Sequence, residues 1–284
     1  MAELLKGKPV ADSLDEVTLK RADALKEKGI TPTLAILRVG ERQDDLSYER
    51  GATKRCEKDG VAVVNKVLPE DCSQEDLMAA IKELNEDDNV HGILMFRPLP
   101  KTLDEKAACN AILPSKDVDG ITPGSMAYIY SGLGEGFAPC TSQAVMEILK
   151  YYEIDPKGKK ATVVGRSLVI GKPVSMLLMN ANATVTICHS RTENMAKVTK
   201  NADIVIAALG KAEMLNAEYF ENGQTVIDVG INYSEEKQKL VGDVKSDEVE
   251  SVVEKLTPVP GGVGSVTTAV LVSHVVEAAE RLLK

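Results

Sequence analysis

Paired metal ligands and disulfide spacings are missing from this sequence. No Cys-x-x-Cys pair occurs, and the five cysteines (Cys56, Cys72, Cys109, Cys140 and Cys188) are odd in number, which argues against a disulfide framework and a zinc site. His91, His189 and His274 lie far apart with no ligand spacing, so no metal is expected and they read as structural or surface residues. No segment reaches membrane-spanning length without charges, and Met1 to Lys8 carries neither a long apolar core nor a cleavage-like site. No membrane association and a cytoplasmic location are expected. Positive charge is also short: the net charge of −9 leaves no basic face for nucleic acid or an anionic membrane. Low-complexity runs and short-period repeats are absent.

What is present is a composition suited to a folded core, with 44% hydrophobic and 27% charged residues in a chain of 284, long enough for two domains. Apolar periodicity predicts a helix over Leu14–Lys28, a strand over Thr33–Val39, a helix over Asp44–Asp59 and a strand over Val61–Leu68. A helix capped by Ser73 then runs to Asn85, before a strand over Val90–Met95. Strands alternating with helices of this length imply an α/β fold, a parallel sheet with helices on both faces. Periodicity weakens between Lys101 and Phe137, and a helix from Cys140 to about Tyr152 follows. A second series predicts strands Ala161–Val164, Thr184–Cys188, Asp203–Leu209 and Thr225–Val229, and helices Pro173–Asn180, Asn194–Lys200 and Asp247–Lys255. Lys239–Val244 reads as extended. The last helix, about Thr267–Leu283, has an apolar face that needs a partner.

The stretch from Val163 to Leu178 reads as strand, phosphate-sized turn and helix, with Gly165-Arg166-Ser167 and Gly171-Lys172-Pro173 in the turn. An anionic pyrophosphate suits the free amides and positive dipole of a helix N-terminus, and Pro173 suits the first helical position. The motif departs from Gly-x-Gly-x-x-Gly, because Ser167 replaces the second glycine and the third comes one residue late. The second strand ends in Cys188-His189-Ser190-Arg191-Thr192 and offers no carboxylate for an adenosine ribose. Arg166, Ser190 and Arg191 could instead hold a 2′-phosphate, which favours NADP, with NAD as the alternative.

Taken together, these strings resemble the methylenetetrahydrofolate dehydrogenase/cyclohydrolase family. They include Gly165-Arg166-Ser167 with Gly171-Lys172-Pro173, Val226-Ile227-Asp228-Val229-Gly230-Ile231-Asn232 and Val241-Gly242-Asp243-Val244. Thr257-Pro258-Val259-Pro260-Gly261-Gly262-Val263-Gly264 belongs with them. In the first half, Ser47-Tyr48, Pro98-Leu99-Pro100, Lys116-Asp117-Val118-Asp119-Gly120 and Pro139-Cys140-Thr141 match too. The resemblance implies two α/β domains flanking a cleft. A folate-binding catalytic domain would span residues 1–138 with 267–284, and a Rossmann-type NAD(P) domain residues 139–266. It also implies a homodimer and a place in one-carbon metabolism and purine biosynthesis. Asp119 would pair with the donor edge of the pterin and Tyr48 would lie against its ring, both as catalytic residues. Pro98, Leu99, Pro260, Gly261, Gly262, Val263 and Thr267 would border the tetrahydrofolate substrate. Gly165, Arg166, Ser167, Gly171, Ser190, Arg191 and Ile231 would contact the dinucleotide.

The chain departs from that family at three places. The lysine expected four residues after the tyrosine is Ala52, a usual glutamine is Phe96, and Ser265-Val266 stands where Pro-Met is usual. Lys54 lies two residues beyond position 52, about 200° around the helix from it. Hydride removal needs chiefly positioning, whereas hydrolysis moves protons and gains from a side chain of tunable pKa. The sequence therefore predicts an NADP-dependent dehydrogenase with weak or absent cyclohydrolase. The alternatives are the full bifunctional enzyme, in which Arg50, Lys54 or Arg97 supplies the cation, a non-catalytic nucleotide-binding protein, and an unrelated Rossmann dehydrogenase.

Overall fold

Helices and strands alternate through residues 1–283, which the computed structural model describes. The first half contains β1 (Glu3–Leu4), α1 (Gly7–Lys26), β2 (Thr33–Val39), α2 (Gln43–Lys58), β3 (Ala62–Leu68), α3 (Gln74–Glu86) and β4 (Gly92–Met95). Next come α4 (Glu105–Ala111), α5 (Pro123–Ser131), α6 (Cys140–Tyr151), β5 (Lys160–Val164), α7 (Gly171–Asn180), β6 (Thr184–Cys188), α8 (Met195–Lys200) and β7 (Ile204–Ala207). The remainder is β8 (Thr225–Asp228), β9 (Asn232–Ser234), β10 (Lys239–Val241), α9 (Ser246–Val249), β11 (Lys255–Leu256) and α10 (Thr267–Arg281).

The chain divides into two compact units. One comprises Ser13–Cys140 and the stretch from Thr268 onward. Its sheet has the order β3-β2-β4, parallel throughout. Central β2 is buried at all seven positions, as expected of a strand covered on both faces. Helix α3 is fixed at its start by a reciprocal capping box between Ser73 and Asp76. It buries Leu77, Ala80, Ile81 and Leu84, an i, i+3, i+4, i+7 stripe, in a cluster with Leu37, Ile93 and Met95. Each such leucine or isoleucine contributes about 1.5–3 kcal/mol.

The other unit comprises Met1–Asp12 and Thr141–Thr267. Its main sheet has six strands in the order β1-β11-β8-β7-β5-β6, all parallel. From β5 the chain moves outward to β6 and then returns to β7 on β5's other side, so the order reverses at the β5/β7 boundary. Beyond the carboxyl ends of strands at such a reversal lies the usual ligand crevice of an open α/β sheet.

Several sequence expectations are corrected. Residues 1–12 group with the dinucleotide-type unit rather than with residues 13–138, because β1 pairs with β11. The Asp247–Lys255 helix is only α9, since Lys255 and Leu256 are drawn into the sheet between β1 and β8. Helices α4 and α5 occupy the stretch read as irregular, α5 being started by Pro123 and a Thr122 cap. Lys239–Val241 pairs antiparallel with β9. Helix α7 starts at Gly171, which places Pro173 at its third position, still within the turn that lacks internal acceptors.

Candidate functional site

In the unit built on β2, helix α2 buries Asp45, Ala52 and Cys56 on one face, and Tyr48 shares that face at i+3 from Asp45. The Tyr48 ring meets Phe96, from the end of β4, edge to face at a centroid distance of 5.7 Å. Tyr48 is 40% exposed, yet its hydroxyl end lies deep enough that burial raises the phenol pKa, with Cys140 and Asp119 adding to the shift. Asp119, partly buried, is pushed up to about 6 by burial and by Asp117, against the pull of Arg97 and of the Cys140 thiol. It remains mainly ionised at neutral pH and can accept two hydrogen bonds. Tyr48, Phe96, Arg97 and Asp119 thus form one polar-edged aromatic site.

Local capping explains how Asp119 is presented. The neighbouring Asp117 is fully buried and accepts from the amides of Ile121 and Thr122 and from Ser125 Oγ, so it starts α5. Lys116 donates to the carbonyls of Leu84, Asn85 and Asp87 at the end of α3, a structural rather than a catalytic post. The Arg97–Pro100 turn is tied by Glu105, which accepts from Leu99 N at 2.9 Å, and by Arg42, which donates to the carbonyl of Pro98. Pro98 is exposed and Leu99 buried. Ala52 is fully buried, while Arg50 and Lys54 are exposed. Of the three candidate cations, only Arg97 acts on Asp119.

In the other unit, Val164 and Cys188 are register partners, so Gly165–Ser167 and Ser190–Arg191 leave neighbouring strand ends. Gly165 has φ +138°, and a Cβ there would lie 2.1 Å from the carbonyl oxygen of Ala208 after β7. A Cβ on Gly171 would lie 2.4 Å from the carbonyl oxygen of Gly165. The side chains of Arg166, Ser167, Ser190 and Arg191 are all exposed. His189 accepts the Arg191 amide at Nδ1 and so shapes that loop. One expectation is corrected: the α7 amides are not open. Ser167 Oγ accepts from Ile170 and Gly171, and the Ser167 carbonyl accepts from Lys172. A phosphate placed here would face the helix dipole and the Arg166 and Ser167 side chains.

The same unit contains a cavity of ≈ 170 Å³ lined by Asp228–Ile231 and Pro258–Ser265. Ile231, expected at the cofactor, and Pro260, Gly261, Gly262 and Val263, expected at the substrate, therefore border one space. Thr267 closes the following turn through a bond to the Gly264 carbonyl. Beneath lie two buried carboxylates. Asp228 accepts from the amides of Gly230, Asp243 and Val244, and burial pushes it up to about 7 despite them. Asp243 accepts from three successive amides, Leu209 to Lys211, and from Asn232. The pair ties the loop after β7 to the loop after β8. Sequence reasoning gave these two aspartates no role, although both sit in motif strings. Among the described residues no cluster of His, Cys, Asp or Glu could hold a metal ion, and no helix is long and apolar enough to cross a membrane.

Comparison with known proteins matches residues 5–119 to the catalytic domain of tetrahydrofolate dehydrogenase/cyclohydrolase and residues 139–283 to its NAD(P)-binding domain. The chain is 52% identical over 276 residues to the bifunctional protein FolD of Clostridioides difficile, covering 97% of this chain and 96% of the relative. It is 40% identical to the crystal structure of the bifunctional FolD methylenetetrahydrofolate dehydrogenase/cyclohydrolase of Campylobacter jejuni, with TM-score 0.95 over 99% of this chain and 100% of that one. The Trypanosoma brucei dehydrogenase-cyclohydrolase, solved with NADP cofactor and inhibitor, is 33% identical, with TM-score 0.90 over 100% and 99% of the two chains. Relatives described as bifunctional fit the two-activity alternative better than the dehydrogenase-only expectation.

Proposed function

The chain belongs to the tetrahydrofolate dehydrogenase/cyclohydrolase family, and on that footing we propose that it oxidises 5,10-methylenetetrahydrofolate to 5,10-methenyltetrahydrofolate with NADP and hydrolyses the product to 10-formyltetrahydrofolate. The observation that carries this reading is the grouping of Asp119 with Tyr48 and Arg97, a carboxylate able to take the donor edge of a pterin beside a ring able to cover it. NADP supplies the hydride acceptor. Gly165 keeps the turn after β5 narrow, and Arg166, Ser190 and Arg191 supply the positive charge and hydroxyl that a 2′-phosphate needs. Pro98 and Leu99 border the folate, as do Pro260–Val263 and Thr267. On purified protein, reduction of NADP dependent on methylenetetrahydrofolate, followed by decay of methenyl absorbance, tests both steps; absence of the first overturns the reading.

A second reading, a dehydrogenase with weak or absent hydrolysis, is favoured by one specific feature. Position 52 offers a buried methyl group where a basic nitrogen would serve, and Phe96, packed on Tyr48, cannot hydrogen-bond water. Arg97, permanently charged, can stabilise negative charge near Asp119 but is a poor proton carrier. The ratio of the two rates on one preparation separates the readings.

A cytoplasmic location and a homodimer belong to the same proposal. The five cysteines are free thiols, which suits a reducing compartment. Strand β3 is a sheet edge with Val64 and Val67 about half exposed, a surface able to meet a second copy.

A further inference from the structure

Asp119 is preceded by a carbonyl with an unusual set of partners. Val118 is fully buried, and its oxygen is met by two side chains: His274 Nδ1 at 2.9 Å and Cys140 Sγ at 3.3 Å. His274 lies on α10, 156 residues further along the chain, and Cys140 opens α6. A carbonyl can only accept, so His274 must carry its proton on Nδ1 to make this bond. The two side chains also approach each other, at 3.9 Å.

The residues on both sides of Asp119 are therefore immobilised. On one side the Val118 peptide is held by His274 and Cys140. On the other, Gly120 lies so close to Ala138 and Pro139 that a Cβ would sit 2.4 Å from Pro139 N. Behind His274, Phe137 packs on the imidazole at a centroid distance of 4.9 Å, and the Arg281 guanidinium lies 4.0 Å from the Phe137 ring centre. The Cys140 thiol also faces the Asp119 carboxylate itself. Burial holds that thiol well above the usual range, so it acts as a neutral donor and not as a nucleophile.

We propose that His274 and Cys140 are positioning residues for Asp119: by clamping the Val118 carbonyl they fix the direction in which the carboxylate meets the folate ring. The inference deepens the proposed function and rests on it. A carboxylate that must match two adjacent donors gains from a rigid mount, since any rotation lost on binding weakens the complex.

The test uses four variants of the whole protein, His274→Leu, His274→Asn, Cys140→Ala and Cys140→Ser, each first checked for a cooperative melt. Asparagine places an amide donor near the Nδ1 position and serine keeps a hydroxyl donor. KM for methylenetetrahydrofolate is expected to rise about tenfold in His274→Leu and less in Cys140→Ala, while KM for NADP stays within about twofold. Asparagine and serine are expected to recover most of each loss. In the wild type, nitrogen-15 NMR is expected to show His274 as the Nδ1–H tautomer. An Nε2–H tautomer, equal rises in both KM values, or asparagine no better than leucine would each overturn the inference and leave the proposed function standing. A wild type without folate-dependent reduction of NADP would remove both.

Discussion

Phe96 meets Tyr48 edge to face, the two rings standing at 88°, and Ala52, one helical turn beyond Tyr48, is completely buried. Neither Ala52 nor Phe96 carries a group that could move a proton. Ala52→Lys alone is expected to raise the methenyl hydrolysis rate little and to cost about 1–3 kcal/mol in urea unfolding, because a long chain enters a filled space. Ala52→Lys with Phe96→Gln is expected to raise hydrolysis further. Hydrolysis by the single variant equal to that of the double would refute the role given to Phe96.

The charge proposed to meet the 2′-phosphate sits on an exposed loop, so it can be removed without harm to the core. Arg191→Ala is expected to raise KM for NADP about tenfold, with KM for NAD nearly unchanged. Ser190→Ala should do the same more weakly. Equal losses for the two cofactors, read in parallel steady-state assays, would mean that these side chains do not meet a 2′-phosphate.

Asp243 satisfies three consecutive amides that have no strand to pair with. Asp243→Ala is expected to lower stability by about 1–3 kcal/mol, since three part-buried amides lose a buried charged acceptor that water replaces incompletely. Asp243→Asn, which keeps one acceptor oxygen, should lose less. Chemical denaturation compares them, and hydrogen exchange at Leu209–Lys211 locates the effect.

Asp59 links stability to pH. Burial and the neighbouring Asp15 push it up to about 7, and its Oδ2 has no hydrogen-bond partner. The folded state therefore keeps a proton that the unfolded chain releases near pH 4. Stability attributable to this group falls as pH rises from about 4 through about 7. Asp59→Asn is expected to flatten that slope and to raise stability by about 1 kcal/mol near pH 8 relative to pH 5. Melting curves at the two pH values decide; an unchanged slope would show that Asp59 ionises freely.

Long elements could be read from the sequence because their own residues specify them. Strands Thr33–Val39 and Thr184–Cys188 have the expected bounds, one from seven consecutive apolar or stem-burying residues and the other from β-branched alternation. Helix α5 was hidden because only Ser125 and Ile129 are buried on it, which leaves no periodic stripe, and its start depends on Asp117. Two-residue strands such as β1 and β11 have no periodicity and exist only through each other and β8. At the site, Tyr48 and Asp119 stood out through their neighbouring strings. His274 did not, because a lone histidine on an apolar helix looks like any core residue until the carbonyl it meets is known.

Each unit is sewn from pieces made at opposite ends of translation. Glu3 and Leu4 are made long before Lys255 and Leu256, their strand partners, and the unit built on β2 is completed only by Thr268 and its successors. Neither unit is complete until pieces far apart in the sequence have both been made. A polypeptide lacking α10 would leave the Val118 carbonyl without His274 and would expose the aliphatic surface that α10 covers.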